Sequence, residues 1–263
     1  MPTGGAAWRL AAFAAAVAAV AASVPHPAGA EEKRVVSVAA AANLRAAMAE
    51  LAKAFEQAHP GVKVQVTLGA SGALFSQIRS AGPFDVFFSA DRELPRRLIE
   101  ARLAGPEVVY AVGRLVIWTR PGSPLSFERA GLAGLSARGV SRIAIANPAS
   151  APYGRAAIAA FQAAGIAQAI QGRLVLGQSV AQAAQFAQSG AADVAILPAS
   201  LAGEPALATG KAVLVPQSLH PRLEQSAVVL SRATEPALAG AFLVFVTGME
   251  GRAILQKYRY ELP

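Results

Sequence analysis

From residue 34 onward, apolar positions recur with two periods that take turns along the chain. Val62, Val64, Val66 and Leu68 alternate with Lys63, Gln65 and Thr67, the period of a strand with one wet face. Leu44, Met48, Leu51 and Phe55 fall at 4-3-4 spacing, which lines one face of a helix, and His59-Pro60-Gly61 stops it. Arg34 to Ala39, Phe84 to Phe88, Arg142 to Ala146, Arg173 to Leu176, Asp193 to Leu197 and Ala212 to Val215 read as further strands. Helices are predicted around Leu74, Phe75 and Ile78, over Leu94 to Leu103, in the Ala-rich stretch after Gly154 and from Val180. Two more close the chain, Pro236 to Val246 and Glu250 to Tyr258.

This alternation predicts an α/β protein with mostly parallel sheets flanked by helices. Val108 to Thr119 is a long β-prone stretch with Gly113 in its middle, broken by Pro121 to Pro124. It separates two runs of β–α units, and a second β-prone stretch, Glu224 to Leu230, can return the chain to the first run. Two crossings predict two lobes. Residues 31–112 with 226–263 form one, residues 113–225 the other, with hinges near Gly113 and Ser226.

The N-terminus changes the compartment. Met1 to Trp8 is uncharged, Arg9 follows, and Leu10 to Val24 is an apolar run of 15 residues, short of the roughly 20 that span a bilayer. Pro25, Pro27 and Ala28-Gly29-Ala30 then give the A-x-A pattern of a secretory cleavage site, so residues 1–30 are expected to be a signal peptide cut after Ala30. The mature protein is expected to be soluble and periplasmic. The chain has no cysteine, which excludes a lipoprotein anchor, disulfides and thiol chemistry.

The formal charge of +8 falls to about +7 when Arg9 is removed. The basic residues are scattered singly or in pairs and only 6% of residues are aromatic, so no nucleic-acid surface is expected.

In open parallel sheets ligands bind beyond the carboxyl ends of the strands. Four strand-to-helix loops there share one character: Ala41-Ala42-Asn43, Gly69-Ala70-Ser71-Gly72, Asn147 to Gly154, and Gly177-Gln178-Ser179-Val180. Each combines small residues with a neutral hydrogen-bonding side chain, and none contains Lys, Arg or His. The first N–H groups of a helix lack partners and favour negative charge. Several such termini converging would hold an anion without a counter-ion, and about six to eight donors would replace a dianion's water at roughly 1.5–3 kcal/mol each. Taken singly, Asn43, Ser71 and Ser179 read more readily as helix caps, and Tyr153 could be an ordinary loop aromatic; only the set of four loops points to a binding site.

Enzymatic readings fit poorly. Gly69-Ala70-Ser71-Gly72-Ala73 misses the G-x-S-x-G elbow at its fifth residue. The mature histidines, His59 and His220, each sit beside a proline, a poor place for a catalytic base, and no metal-ligand spacing or phosphate-binding glycine motif occurs. Asp85 and Asp91 flank a strand end and read as structural or partner-facing.

At the four loops the sequence resembles the periplasmic molybdate-binding proteins of ABC importers. The stretches that carry the likeness are VSVAAAANLRAAM, LGASGALFSQI, PFDVFFSAD, YAVGRLVIW, IAIANPASAPYG and VPQSL, in that order from Val35 to Leu262. The resemblance implies a two-lobed type II solute-binding protein that closes over its ligand and is not an enzyme. It implies oxyanion contacts from Asn43 with its neighbour Ala42, from Ser71, from Tyr153 and from the backbone N–H of Val180. The chain departs from the family by having Asn43 where many members have Ser, and Pro198 near the position of a ligand-binding Tyr in some. The ligand expected is molybdate, with tungstate, and no cofactor. The partners expected are an inner-membrane permease and its ATPase, with the protein a monomer; Asp91 or Glu100 could face the permease. Sulfate or thiosulfate binding is the alternative. Ferric ion would want several Tyr or carboxylate oxygens, and Tyr153 alone lies in the loops. A serine hydrolase using Ser71 would lack an assigned base.

Overall fold

The first strand, β1 (Arg34–Ala41), begins the portion of the chain that this computed structural model describes, residues 34–263; the expected signal peptide lies outside it. A 3-10 turn, Ala42–Leu44, leads into α1 (Arg45–Ala58), followed by β2 (Val62–Gly69), α2 (Ser71–Arg79), β3 (Val86–Phe88), α3 (Glu93–Glu100) and β4 (Val108–Gly113). The chain then crosses to β5 (Leu115–Thr119), β6 (Ile143–Ala146), α4 (Pro152–Ala163), α5 (Ala167–Ile170), β7 (Leu174–Gly177), α6 (Val180–Gln188), β8 (Val194–Pro198), α7 (Ala199–Ala202) and β9 (Lys211–Leu214). It returns through β10 (Leu223–Val229) and ends in α8 (Pro236–Thr247) and α9 (Met249–Lys257).

Two five-stranded sheets result, in the orders β2-β1-β3-β10-β4 and β7-β6-β8-β5-β9. Within each, three strands pair in parallel and the crossing strand, β10 or β5, pairs antiparallel with both its neighbours. Connectivity explains the exception. Strands β1 and β2 end at a common cleft, as do β6 and β7. A strand that arrives directly from the other lobe starts at that cleft and runs away from it. The expectation of mostly parallel sheets in two lobes therefore describes this type II architecture, with one reversed strand per lobe.

The predicted helical stripe is the core of the first lobe. Leu44, Met48, Leu51 and Phe55 are all fully buried, with Phe55 edge-on to Phe242 at 5.1 Å between ring centroids. Burying each such side chain contributes about 1.5–3 kcal/mol. Leu74, Phe75, Ile78, Phe87, Leu94 and Leu98 fill the opposite face of the same sheet. In the second lobe Trp118 is buried and donates its indole N–H to the Leu207 carbonyl at 3.0 Å.

Two boundaries move. The stretch Val108 to Thr119 divides at Arg114 into β4 and β5, which belong to different sheets. The return crossing is earlier than residue 226: Leu223, Glu224 and Gln225 already pair with Gly113, Val112 and Ala111, so the passage runs from Leu214 to Leu223. A register shift between Gln225 and Ser226 interrupts the strand's alternation, which is why its start is hard to read from the pattern.

Candidate functional site

The four small-residue loops meet. Ala42 and Asn43 from the first, Ser71 from the second, Tyr153 from the third and Val180 from the fourth all line one small cavity. Gly69, Ala70, Ala90, Ala151 and Pro152 complete much of the wall. No lining residue is charged. Asn43, Ser71, Tyr153 and Val180 are each at most 5% exposed, so the cavity is closed from solvent on the side of every polar group it offers.

Local folding aims N–H groups at this point. Ser71 and Val180 are the first residues of α2 and α6. In α4 the first residue is Pro152, so Tyr153 carries the first N–H of that helix. None of these N–H groups has a partner inside its own helix. Ala42 and Asn43 open the 3-10 turn and stand in the same position. The third loop is held by Asn147, whose side-chain oxygen accepts from the Ala149 N–H at 3.0 Å and whose carbonyl accepts from Ala151 at 2.8 Å. Gly154 is fixed by space: a Cβ there would lie 2.1 Å from the Ala146 carbonyl oxygen, so only glycine lets α4 start against the end of β6.

Hydroxyl geometry is equally defined. The Ser71 Oγ accepts the Ala90 N–H at 3.0 Å, which leaves its own hydrogen for the cavity. The Tyr153 hydroxyl accepts from Gln225 Nε2 at 2.9 Å. Burial holds its pKa well above the ordinary phenol range, so it stays protonated. Ser179 does not line the cavity; it caps α6 by accepting the Gln182 N–H. Pro198 ends β8 away from the cavity wall.

Sequence reading missed the layer beneath. The Asn43 side-chain N–H₂ donates to Gln225 Oε1 at 2.9 Å and to the Tyr260 hydroxyl at 2.8 Å. The Tyr260 hydroxyl donates to the Asn43 carbonyl at 2.8 Å, and the Tyr110 hydroxyl lies 2.9 Å from both the Ser89 carbonyl and the Gln225 amide, with one hydrogen to give. Gln225 is wholly buried. One signal for it exists: Gln225 follows the buried Leu223 at strand spacing, which puts an amide on an apolar face. Tyr110 and Tyr260 carry no comparable mark.

The lobes touch around the cavity. The Gly72 N–H donates to the Ser150 carbonyl at 2.8 Å, and Ser200 Oγ donates to the Asn43 carbonyl at 3.2 Å. Arg45 pairs with Glu204, and Arg155 with Asp91, each pair joining one lobe to the other. Asp91 also caps α3 through the Leu94 N–H at 3.1 Å, so this acid is engaged inside the protein and is not a free partner-facing group. Glu100 is exposed. Neither His59 nor His220 lines the cavity, so Ser71 has no imidazole beside it there.

A family model described as bacterial extracellular solute-binding protein matches residues 36–261. The molybdate-binding protein ModA of Rhodobacter capsulatus is 36% identical over 228 residues, covering 86% of this chain and 87% of that protein. ModA of Azotobacter vinelandii is 34% identical over 230 residues, covering 86% and 90%. The solved periplasmic molybdate-binding protein of Azotobacter vinelandii superposes with a TM-score of 0.80 at 31% identity, covering 87% of this chain and 99% of that one. A sulfate-binding protein of Mycobacterium tuberculosis, SubI, shares the fold with a TM-score of 0.74 at 17% identity, covering 87% of each chain.

Proposed function

The chain belongs to the bacterial extracellular solute-binding proteins, and on that premise we propose that it captures molybdate between its lobes for import by an ABC transporter. It acts by binding and is not an enzyme. The observation that carries the ligand class is the closed, uncharged cavity walled by the starts of three helices and one 3-10 turn. A buried dianion there is balanced by hydrogen bonds and helix dipoles rather than by a counter-charge. The ligand step from oxyanion to molybdate rests on likeness to the two ModA proteins. Tungstate, a near-equal tetrahedral dianion, is taken by the same geometry. The partners are a permease and its ATPase, and the protein works as a periplasmic monomer, released from its signal after Ala30.

Selectivity follows from donors of fixed position. Sulfate is smaller and leaves part of the ring unpaired, at about 1–3 kcal/mol per buried donor. Phosphate keeps a proton near neutral pH and needs an acceptor, and no carboxylate lines the cavity. Calorimetric titration of the mature protein is expected to rank molybdate and tungstate far above sulfate, and sulfate above phosphate. Phosphate binding as tightly as molybdate would sink the donor-only reading, and a preference for sulfate would move the function to the alternative oxyanion.

Closure draws on the interlobe pairs. The Glu204 side chain is 6% exposed while Arg45 is 45% exposed, so removing the acid frees an arginine that water can solvate. Glu204→Gln is expected to weaken molybdate binding by about 1–2 kcal/mol, roughly 5–30-fold, through faster release and not slower capture. Stopped-flow displacement checks this; an unchanged release rate refutes the latch.

A further inference from the structure

Gly72 is the second residue of α2, and its N–H has no partner inside its own helix. That N–H crosses the cleft and donates to the Ser150 carbonyl of the second lobe at 2.8 Å. Among the described residues it is the one hydrogen bond from main chain to main chain that joins the two lobes. The seam it makes has two sides. Inward, the adjoining Ser71 and Ala151 line the closed cavity. Outward, Gly72 itself lines a groove with Pro148 and Ala149, and the exposed Arg79 and Arg97 open that groove to water. The wall between cavity and groove is therefore thin: it is crossed from Ser71 to Gly72 on one lobe and from Ala151 to Ala149 on the other.

Space at the seam fits glycine alone. A Cβ on residue 72 would lie 2.8 Å from the Ser150 carbonyl oxygen and 3.0 Å from the Ser150 Cα, and the three atoms nearest to it all belong to the Ser150 main chain. Contacts of the C–H···O kind settle at about 3.3–3.6 Å, so a side chain here holds the lobes apart by roughly half an ångström. Ser150 does not yield by itself. Its N–H donates to the Asn147 carbonyl at 3.1 Å, and the same carbonyl accepts the Ala151 N–H at 2.8 Å, so the loop is fixed from within. The Gly72 φ is not in the left-handed region, so what glycine supplies is the missing Cβ. We propose that Gly72 is a positioning residue that sets the residence time of the bound oxyanion: its main chain against Ser150 seals the cavity, and the anion leaves when that seam opens. This role rests on the reading of the cavity as an oxyanion site.

Gly72→Ala and Gly72→Val test it by stopped-flow capture and displacement of molybdate, set beside thermal unfolding without ligand. Release is expected to be about tenfold faster in Gly72→Ala, the upper end of what one hydrogen bond contributes, because the seam is lost with the bond. It should be faster again in Gly72→Val, which puts two more carbons against Ser150. Capture is expected to stay within about threefold of the wild type, since the anion enters before the seam forms. Alanine favours a helix more than glycine does, and with the lobes apart nothing from the second lobe stands over residue 72. The ligand-free melting temperature of Gly72→Ala is therefore expected to be unchanged or raised, where a residue needed only for the fold would lower it. Wild-type release in either variant overturns the proposal. So does slower capture at unchanged release, or a ligand-free Gly72→Ala protein that melts more than about 3 °C below the wild type. If the wild type takes sulfate in preference to molybdate, the molybdate reading fails and the same three proteins are compared with sulfate. If it binds no oxyanion, both fall.

Discussion

Gly113→Ala is expected to lower molybdate affinity at least 100-fold while the protein remains folded. Gly113 ends the first-lobe strand at the crossing, and Tyr153 from the second lobe rests directly on it. A Cβ at this position would lie 1.9 Å from the Tyr153 hydroxyl oxygen and 2.6 Å from Gln225 Nε2. Neither group has slack, because each is buried and each is hydrogen-bonded to the other. The Gly113 φ is not in the left-handed region, so alanine strains no dihedral and the whole effect is one of space. Moving the hydroxyl by about an ångström breaks its bond to the Gln225 amide and shifts the start of α4, whose first N–H is that of Tyr153; a charge-assisted donor lost there is worth roughly 1.5–3 kcal/mol. The sum passes 2.7 kcal/mol, or 100-fold. Calorimetry on the purified variant, with circular dichroism as the control of fold, measures it. Affinity within threefold of the wild type would show that Tyr153 reaches the ligand by a different path. Adding Tyr153→Phe relieves the closest clash, so the double variant should lose less than the two single losses combined.

The sequence makes the main chain of this site legible and hides the side chains behind it. Ala42, Asn43, Ser71, Tyr153 and Val180 stand out because strand-to-helix loops have a fixed location in a parallel sheet, and because small neutral residues there are uncommon without a use. Local period suffices for that reading, and it places most strands and helices to within a few residues. Gln225 is 182 residues from Asn43 in sequence, and Tyr260 is 217. Their meeting depends on the return crossing and on how the C-terminal tail lies along β4, where Val112 pairs with Glu261. No periodicity carries that information. The short helices α5 and α7 are missed for a different reason: at four residues each they are shorter than one repeat of any helical pattern. For Asp91 the sequence leaves structural and partner-facing roles open, because the choice is decided by Arg155, which arrives from the other lobe to pair with it.

Asp85 draws out the opposite case, a conspicuous acid whose work lies away from the ligand. It sits just before β3, at the end of the first sheet remote from the cavity, and is 2% exposed. Its two oxygens accept three hydrogen bonds: the Ser37 N–H at 2.7 Å, the Thr234 N–H at 2.6 Å and the Thr234 hydroxyl at 3.0 Å. Those contacts tie β1 to the loop that leads into α8, whose Phe242 completes the first-lobe core. Asp85→Ala takes the acceptor from two N–H groups, that of the half-buried Ser37 and that of the exposed Thr234, and opens a small cavity. At about 1–3 kcal/mol for an orphaned donor out of reach of water, which applies to Ser37 and not to the exposed Thr234, the cost with the cavity is about 2–3 kcal/mol, and for a domain of this size that lowers the melting temperature by roughly 5–10 °C. Asp85→Asn should fall between, because its oxygen can still serve Thr234 while its N–H₂ is turned against the Ser37 N–H, donor facing donor. At temperatures where the Asp85→Ala protein is still folded, its molybdate affinity should match the wild type, since the cavity lies at the other end of the strands. Thermal unfolding monitored without ligand, paired with calorimetry below the transition, separates the two effects. A variant that melts like the wild type would mean that water replaces the carboxylate at no cost, and one that folds normally but binds weakly would tie this end of the sheet to the site.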